Sequence, residues 1–85
     1  MKTILIAKKC LERETELAFV FRVSYYDNKY FSIPKSQITN QDEGEIEVNP
    51  SYKEKCFKFT LTNFIYQKLE YEFKRLGEFK YKELI

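Results

Sequence analysis

The stretch LAFVFRVSYYDNKYFSI at residues 17–33 decides the fold of this chain. Apolar and polar side chains alternate through residues 16–26, which is the period of a half-buried strand. A turn is predicted at residues 27–29, because Asp and Asn tolerate left-handed backbone. The chain returns through residues 30–33, and Pro34 ends this second strand because proline cannot donate to a ladder. The stretch therefore predicts a β-hairpin.

The register of this hairpin follows from the apolar pattern. A three-residue loop pairs Tyr26 with Tyr30, Tyr25 with Phe31 and Val23 with Ile33. In this register, the apolar face consists of Phe19, Phe21, Val23, Tyr25, Phe31 and Ile33. The opposite face consists of Arg22, Ser24, Tyr26, Tyr30 and Ser32. A two-residue loop would mix the two sets, so the pattern favours the three-residue loop.

Strands are also predicted on either side of the hairpin. Residues 2–8 carry apolar side chains on both faces, which indicates a central strand. Residues 9–15 are polar and predict a connection that contains at most a helical turn. Residues 40–44 predict a loop, and residues 45–48 alternate like a strand whose glutamates guard a sheet edge.

The C-terminal part predicts the main helix of the protein. From about residue 63, apolar side chains recur at helical spacing: Leu61, Phe64, Ile65, Leu69, Phe73 and Leu76. Gly77 stands where a C-cap glycine belongs. The tail 79–85 alternates again and predicts a late strand.

One segment, residues 51–62, leaves two alternatives open. Residues 57–61 alternate like a strand, whereas Ser51 and Glu54 fit a capping box that would begin a helix. With either alternative, residues 1–85 predict a single domain of the α+β class. We expect an antiparallel sheet of four to five strands packed against one main C-terminal helix. The predicted core consists of Phe19, Phe21, Val23, Phe31, Ile33, Leu61, Phe64, Ile65, Leu69 and Phe73.

The composition argues against catalysis. The chain has no histidine, two glycines, two cysteines and fifteen aromatic residues, eight Phe and seven Tyr. Without histidine, a His-centred dyad or triad is impossible. Ser36 and Lys35 are adjacent in an extended segment and point to opposite faces, so they do not form a nucleophilic pair. There is no Gly-rich phosphate loop, and we predict a non-enzymatic protein without a cofactor.

Metal binding is not predicted either. Cys10 and Cys56 stand alone in the sequence, without a CxxC motif. Two cysteines cannot supply the four ligands of a structural zinc site without help from carboxylates. We expect two reduced, partly buried thiols.

The net charge of +2 excludes few classes of partner, but the distribution of charge along the chain is more informative. Residues 1–50 sum to −1 and residues 51–85 to +3, and the single-sign run at 42–47 is acidic. A protein that wraps duplex DNA normally has a much stronger basic excess. No apolar run approaches the ~20 residues of a membrane span. The apolar stretch at 4–7 is too short for a signal peptide, so we expect a cytoplasmic protein without a membrane partner.

Two surfaces are candidate binding sites. The first is the outer hairpin face, where Arg22, Tyr26 and Tyr30 would lie together. Such a group can stack unpaired bases or form a protein hot spot, unless the helix covers this face and the tyrosines belong to the rim of the core. The second candidate site is the polar side of the helix, with Tyr66, Tyr71 and Arg75, unless these side chains, mixed with Glu70 and Glu72, form only a solvated face. Lys35 is a further candidate contact residue.

A short run after the hairpin carries a resemblance. The aromatic strand leading into IPKSQI at residues 33–38 resembles a group of short orphan proteins of phages and integrative elements. The chain departs from them at Ser32, where an aromatic residue is expected. As a small, glycine-poor chain rich in residues with AT-rich codons, it is also similar in type to phage inhibitors of CRISPR effectors.

These resemblances imply a role and a partner. The implied role is a phage or mobile-element inhibitor that binds a host defence protein or ribonucleoprotein in the cytoplasm of a bacterial host. The alternative is an accessory protein that binds RNA or single-stranded DNA. A third hypothesis is an antitoxin-like or structural interaction module. The oligomeric state is left open.

Overall fold

The computed structural model describes residues 1–24 and 28–84, and its fold is α+β. The elements are β1 (Lys2–Ala7), β2 (Leu11–Glu14), β3 (Ala18–Ser24), β4 (Lys29–Pro34), β5 (Ile38–Asn49), β6 (Tyr52–Leu61), α1 (Asn63–Arg75) and β7 (Tyr81–Glu83). Short 3₁₀ turns at Lys8–Cys10 and Lys35–Gln37 join β1 to β2 and β4 to β5. The predicted fold class, with antiparallel strands and one main C-terminal helix, is confirmed.

The strands form two antiparallel sheets, of four strands in the order β5-β6-β1-β7 and of three strands in the order β2-β3-β4. The interior position of β1 and the late strand β7 agree with the sequence predictions. The predicted connection at residues 9–15 does contain a helical turn, which ends at Cys10, but the rest of the prediction is wrong, because Leu11–Glu14 form β2 and pair with β3. Three of the four side chains of β2 are exposed, so this edge strand has no apolar alternation to reveal it.

The β3–β4 hairpin has the predicted faces but a different register. Ile33 lies opposite Phe19 instead of Val23. Asn28 lies in a turn with a φ of +49°, in agreement with the prediction, whereas Lys29 belongs to β4 and pairs with Ser24. From Ala18 to Arg22 the register differs from the predicted one by an even number of residues, which keeps these side chains on their predicted faces. In the observed register, the rings of Phe21 and Phe31 stack with centroids 5.6 Å apart. This cross-strand aromatic contact favours the observed pairing. Tyr25, Tyr26 and Asp27 lie outside the described residues.

The predicted loop at residues 40–44 is wrong, because it is part of β5, the twelve-residue edge strand of the larger sheet. Residues 52–61 form β6, which settles the open alternative for this segment in favour of a strand. Ser51 does not cap a helix; its backbone N–H and its hydroxyl both donate to Asn49 Oδ1 at 2.9 Å, in the turn between β5 and β6.

Opposite charges explain why an acidic run is a strand here. The acidic residues of β5 face lysines of β6 in the pairs Asp42–Lys58, Glu45–Lys55 and Glu47–Lys53. Opposite-charge pairs across a ladder stabilise the pairing of the two strands. The loop prediction treats each acidic residue alone and therefore omits the lysine that lies opposite it. Three of the four acidic residues of the run therefore have a lysine directly opposite them in the same hairpin.

The two sheets pack through four phenylalanine rings. Phe19 and Phe21 of β3 face Phe57 and Phe59 of β6, with centroid distances of 5.1 Å between Phe19 and Phe59 and 5.9 Å between Phe21 and Phe57. Phe19, Phe21 and Phe59 are at most 1% exposed. These rings form the centre of the core, and the predicted core residues of the hairpin are confirmed as buried.

Helix α1 begins where predicted and closes the core. Thr62 is its N-cap, and its hydroxyl accepts a hydrogen bond from the Ile65 N–H. Phe73 lies between the rings of Phe31 and Tyr81, with both centroid distances 5.4 Å. Gly77 follows the helix with a φ of +93°, a conformation that glycine adopts without strain.

The prediction that Phe64 of the helix belongs to the core is wrong. The helix buries Ile65, Tyr66, Phe73 and Leu76, with Leu69 half-buried against them. Phe64 lies about 150° from the centre of this arc on a helix of 3.6 residues per turn. Its side chain is 66% exposed.

A cluster of hydrogen bonds and ion pairs links helix α1 to β1 and β7. The buried Tyr66 hydroxyl donates to Glu83 at 2.9 Å, and Lys2 forms an ion pair with the same carboxylate at 2.7 Å. Burial, followed by the hydrogen bond to Glu83, raises the pKa of Tyr66. The hydrogen bonds from Lys2 and Tyr66 lower the pKa of Glu83. Helix α1, β7 and β1 thus share one cluster.

We expect Phe59→Ala to destabilise the protein by about 3–5 kcal/mol, because it opens a cavity between the two sheets. Phe64→Ala is the matched control and should change the unfolding free energy by less than about 0.5 kcal/mol, because its ring lies in solvent. Urea denaturation of both variants measures the difference. Equal losses of stability would contradict this assignment of the core.

Tyr66→Phe should cost about 1.5–3 kcal/mol, because it removes a buried hydrogen bond to a carboxylate. Tyr71→Phe is the control, since the side chain of Tyr71 is 71% exposed. Its hydroxyl makes no hydrogen bond within the described residues, so we expect a change within about 0.5 kcal/mol. If both variants unfold like the wild type, the Tyr66 hydroxyl does not stabilise the fold.

The Glu83 carboxyl predicts a loss of stability in acid. Its folded-state pKa lies below the ordinary value of 4.5, so its contribution is present above that pH and disappears as the pH falls through the folded-state pKa. Glu83→Gln should therefore melt below the wild type at pH 7, and the difference should shrink below pH 4.5. Glu16→Gln, at an exposed position, is the control. A difference that stays constant between pH 7 and the acid range would contradict this interpretation.

Candidate binding surface

A line of four side chains runs along the outer face of α1. Phe64, Lys68, Tyr71 and Arg75 are spaced by four, three and four residues, so they lie on one side of the helix. Phe64 is 66% exposed and Tyr71 is 71% exposed. We call these four residues the helix stripe.

Each aromatic ring of the helix stripe is accompanied by a cation. Lys68 Nζ lies 5.9 Å from the centroid of Phe64, and Arg75 Cζ lies 5.6 Å from that of Tyr71. Arg75 also contacts the carboxylate of Glu72 at 3.6 Å. Cation–π contacts at exposed sites contribute about 0.5–1 kcal/mol and limit the conformations of both partners. The helix stripe therefore presents two large, partly ordered rings with positive charge beside them.

The spacing of residues along the helix indicates this surface, but the assignment of Phe64 to the core is wrong. Tyr71 and Arg75 were predicted contact residues, and the structure places them side by side. Phe64 was assigned to the core because it continues an apolar series. Its spacing of seven residues from Tyr71 indicates instead that both rings share the outer face.

The outer hairpin face has a different character. Arg22 donates to Glu12 through Nε at 3.1 Å and Nη2 at 3.0 Å, and its Cζ lies 5.4 Å from the centroid of Tyr30. Lys35 forms an ion pair with Glu14 at 2.6 Å. Arg22 and Tyr30 thus lie together on one face, and Arg22 already links β3 to its neighbour β2. Lys35 lies in the 3₁₀ turn after β4, with its Nζ 5.0 Å from the centroid of Phe19 on the core side. Tyr26, the third member of the predicted group, lies outside the described residues.

The remaining predicted contact residue, Tyr66, is buried. Only 5% of it is exposed, and its hydroxyl is bonded within the cluster described above. The prediction that it lies off the apolar side of the helix is wrong, because the buried arc of α1 extends to Tyr66 where the helix packs against β7.

The cysteines are free, buried thiols, as expected. Burial raises the pKa of Cys56 to about 11, and it raises that of Cys10 in spite of the nearby Lys80 and Lys9. Cys10 lies at a cleft of about 460 Å³ beside β2 and β3. Cys56 lies at a second cleft of about 300 Å³, where Lys8 is paired with Glu43.

Among residues 1–24 and 28–84, no three Cys, Asp or Glu side chains are grouped so that they could hold a metal ion. Helix α1 is too short and too polar to cross a membrane, and the described residues contain no other candidate span. Comparison with known proteins likewise gave no match to a family model, to a curated protein or to a solved structure.

Proposed function

We propose that the protein is a non-enzymatic binding domain that uses the helix stripe to occupy a surface of a partner protein. The observation that carries this proposal is the exposure of Phe64 and Tyr71, at 66% and 71%, on one line of a helix. Aromatic residues with an adjacent arginine are typical of binding hot spots. Exposed apolar area on a well-packed domain favours contact with another molecule.

The charge of the helix stripe favours a protein partner. The stripe has two cations, Lys68 and Arg75, and Arg75 forms an ion pair with Glu72. Next to the stripe, Lys74 is paired with Glu70 at 2.9 Å. A nucleic-acid site needs a continuous track of cations along the phosphates, and this helix alternates its charges.

For the biological role, we propose an inhibitor of a host defence nucleoprotein, such as a CRISPR effector, with the contact made to its protein component. The support for this role is the resemblance of the IPKSQI run and of the chain type to small phage proteins. A compact domain that presents rings on a rigid helix is suited to blocking a surface, because little side-chain entropy is lost on binding.

The alternative function is binding of RNA or single-stranded DNA. The position of the Arg75 guanidinium over the ring of Tyr71 favours it, because base stacking on an aromatic ring contributes about 1–3 kcal/mol per base. Such binding would weaken steeply with salt, whereas the protein contact would weaken less.

The double variant Phe64→Ala/Tyr71→Ala tests the proposed function. Partners are first captured from a nuclease-treated lysate of the native host and identified, and the affinity of each purified partner is then measured. We expect the double variant to lose about 2–4 kcal/mol of binding free energy, because truncation removes both hot-spot rings. Its fold should be unchanged, since both side chains lie in solvent.

Tyr30→Ala and Leu17→Ala are the matched controls. Tyr30 represents the outer hairpin face, and Leu17 is an exposed apolar side chain away from the helix. If Tyr30→Ala weakens binding and the double variant does not, the site lies on the hairpin. If the wild type retains labelled RNA or single-stranded DNA in a salt-dependent way and captures no protein, the alternative function replaces the proposal.

A further inference from the structure

The cleft of about 460 Å³ lies apart from the helix stripe, where segments from three parts of the chain meet. Its wall includes the 3₁₀ turn after β1, the adjacent strands β2 and β3, and the loop before β7. Cys10 and Val23 line it and are 7% and 6% exposed, so the cleft has an apolar floor. This volume is within the range of small-molecule sites, about 300–1,000 Å³.

Three cationic side chains surround this floor, and they differ in whether a carboxylate is paired with them. Lys9 forms an ion pair with the buried Glu54 at 3.2 Å, and Arg22 is bonded to Glu12 at 3.0 Å. Lys80 makes no ion pair within the described part of the chain. Its backbone is held by two hydrogen bonds, from Ala7 N to Lys80 O at 2.9 Å and from Lys80 N to Gly77 O at 3.1 Å.

Among the described residues, three cations and two carboxylates line the cleft or pair with its lining, so their formal charges sum to +1. Hydrogen bonds from Tyr52 and Lys9 lower the pKa of Glu54, which forms the ion pair with Lys9, and Glu12 pairs with Arg22. Lys80 is exposed and forms no ion pair within this part of the chain, although its charge contributes to lowering the pKa of Glu54.

We propose that this cleft binds a small organic monoanion, a carboxylate joined to a compact apolar body. The carboxylate lies at Lys80 with Lys9 beside it, and the apolar body lies against Val23 and the side of Cys10. Dianions and phosphate esters of higher charge are disfavoured because the carboxylates of Glu12 and Glu54 are close. This site is independent of the proposed function of the helix stripe.

Benzoate is the probe for this site, and neutral benzamide is its matched control. In an NMR titration of ¹⁵N-labelled protein, benzoate should shift the amide signals of Cys10, Val23 and Lys80 with a dissociation constant of about 1–10 mM, a range suited to so small a ligand. Benzamide should bind at least about threefold more weakly, because it cannot use the charge of Lys80. Equal binding of the two, shifts elsewhere in the protein, or no saturable shift would overturn the proposal.

The variants Lys80→Gln and Lys82→Gln separate a specific contact from general charge. Both lysines are exposed, and Lys82 lies two residues further along the chain, outside the residues that line the cleft. Lys80→Gln should weaken benzoate binding about three- to fivefold, and Lys82→Gln should leave it unchanged. Equal effects of the two variants would overturn the proposal.

Alkylation of Cys10 provides a second measurement on the wild-type protein, which is decisive even if Lys80→Gln does not fold. Anionic iodoacetate and neutral iodoacetamide react with the same thiol, and peptide mass mapping separates Cys10 from Cys56. The ratio of the iodoacetate rate to the iodoacetamide rate should be higher at Cys10 than for glutathione, and benzoate should protect Cys10 from both reagents. A ratio equal to that of glutathione, or no protection, would overturn the proposal.

Discussion

The contact between the phenylalanine rings of β3 and β6 is the interaction on which the structure depends. Within residues 1–24 and 28–84, the two sheets share no hydrogen-bonded ladder, and Phe19 and Phe21 on one side and Phe57 and Phe59 on the other join them. Tilted and edge-to-face rings add attraction beyond the area that they bury. In a chain of 85 residues, this cluster provides much of the apolar burial that a small domain needs.

The position of the helix follows from this core. Phe73 occupies the space between Phe31 and Tyr81, which fixes the side of α1 that faces inward. The ion pairs and hydrogen bonds around Glu83 then fix the end of the chain against both the helix and β1. Once the inward side is set, the helical period alone places Phe64 and Tyr71 outward. The exposed rings are therefore a consequence of core packing, and no rearrangement is needed to present them.

The two surfaces with binding character have different chemistry. The helix stripe is convex, aromatic and mixed in charge, which suits a protein partner of complementary shape. The cleft beside Cys10 is concave, apolar at its floor and positive at Lys80, which suits a small anion. At the hairpin, Arg22 is paired with Glu12 of the neighbouring strand β2, and Lys35, in the 3₁₀ turn after β4, is paired with Glu14 of β2.

The sequence by itself determined the fold class, the faces of the β3–β4 hairpin, the start of α1 and the late strand β7. These follow from local periodicity, because alternation and helical spacing are properties of neighbouring residues. The position of Tyr71 and Arg75 away from the buried side of the helix was also predictable, since they lie off its apolar spacing.

Only the tertiary structure decided the hairpin register, the strand at residues 40–44, the exposure of Phe64 and the burial of Tyr66. The register depends on the stacking of Phe21 on Phe31, and the acidic strand depends on the lysines opposite it in β6. Phe64 and Ile65 are equally apolar, and the contact of the helix with the sheets decides which one is buried. The cleft at Lys80 combines side chains from distant parts of the chain. These features depend on pairing and packing between elements, which the periodicity of each segment taken alone does not determine.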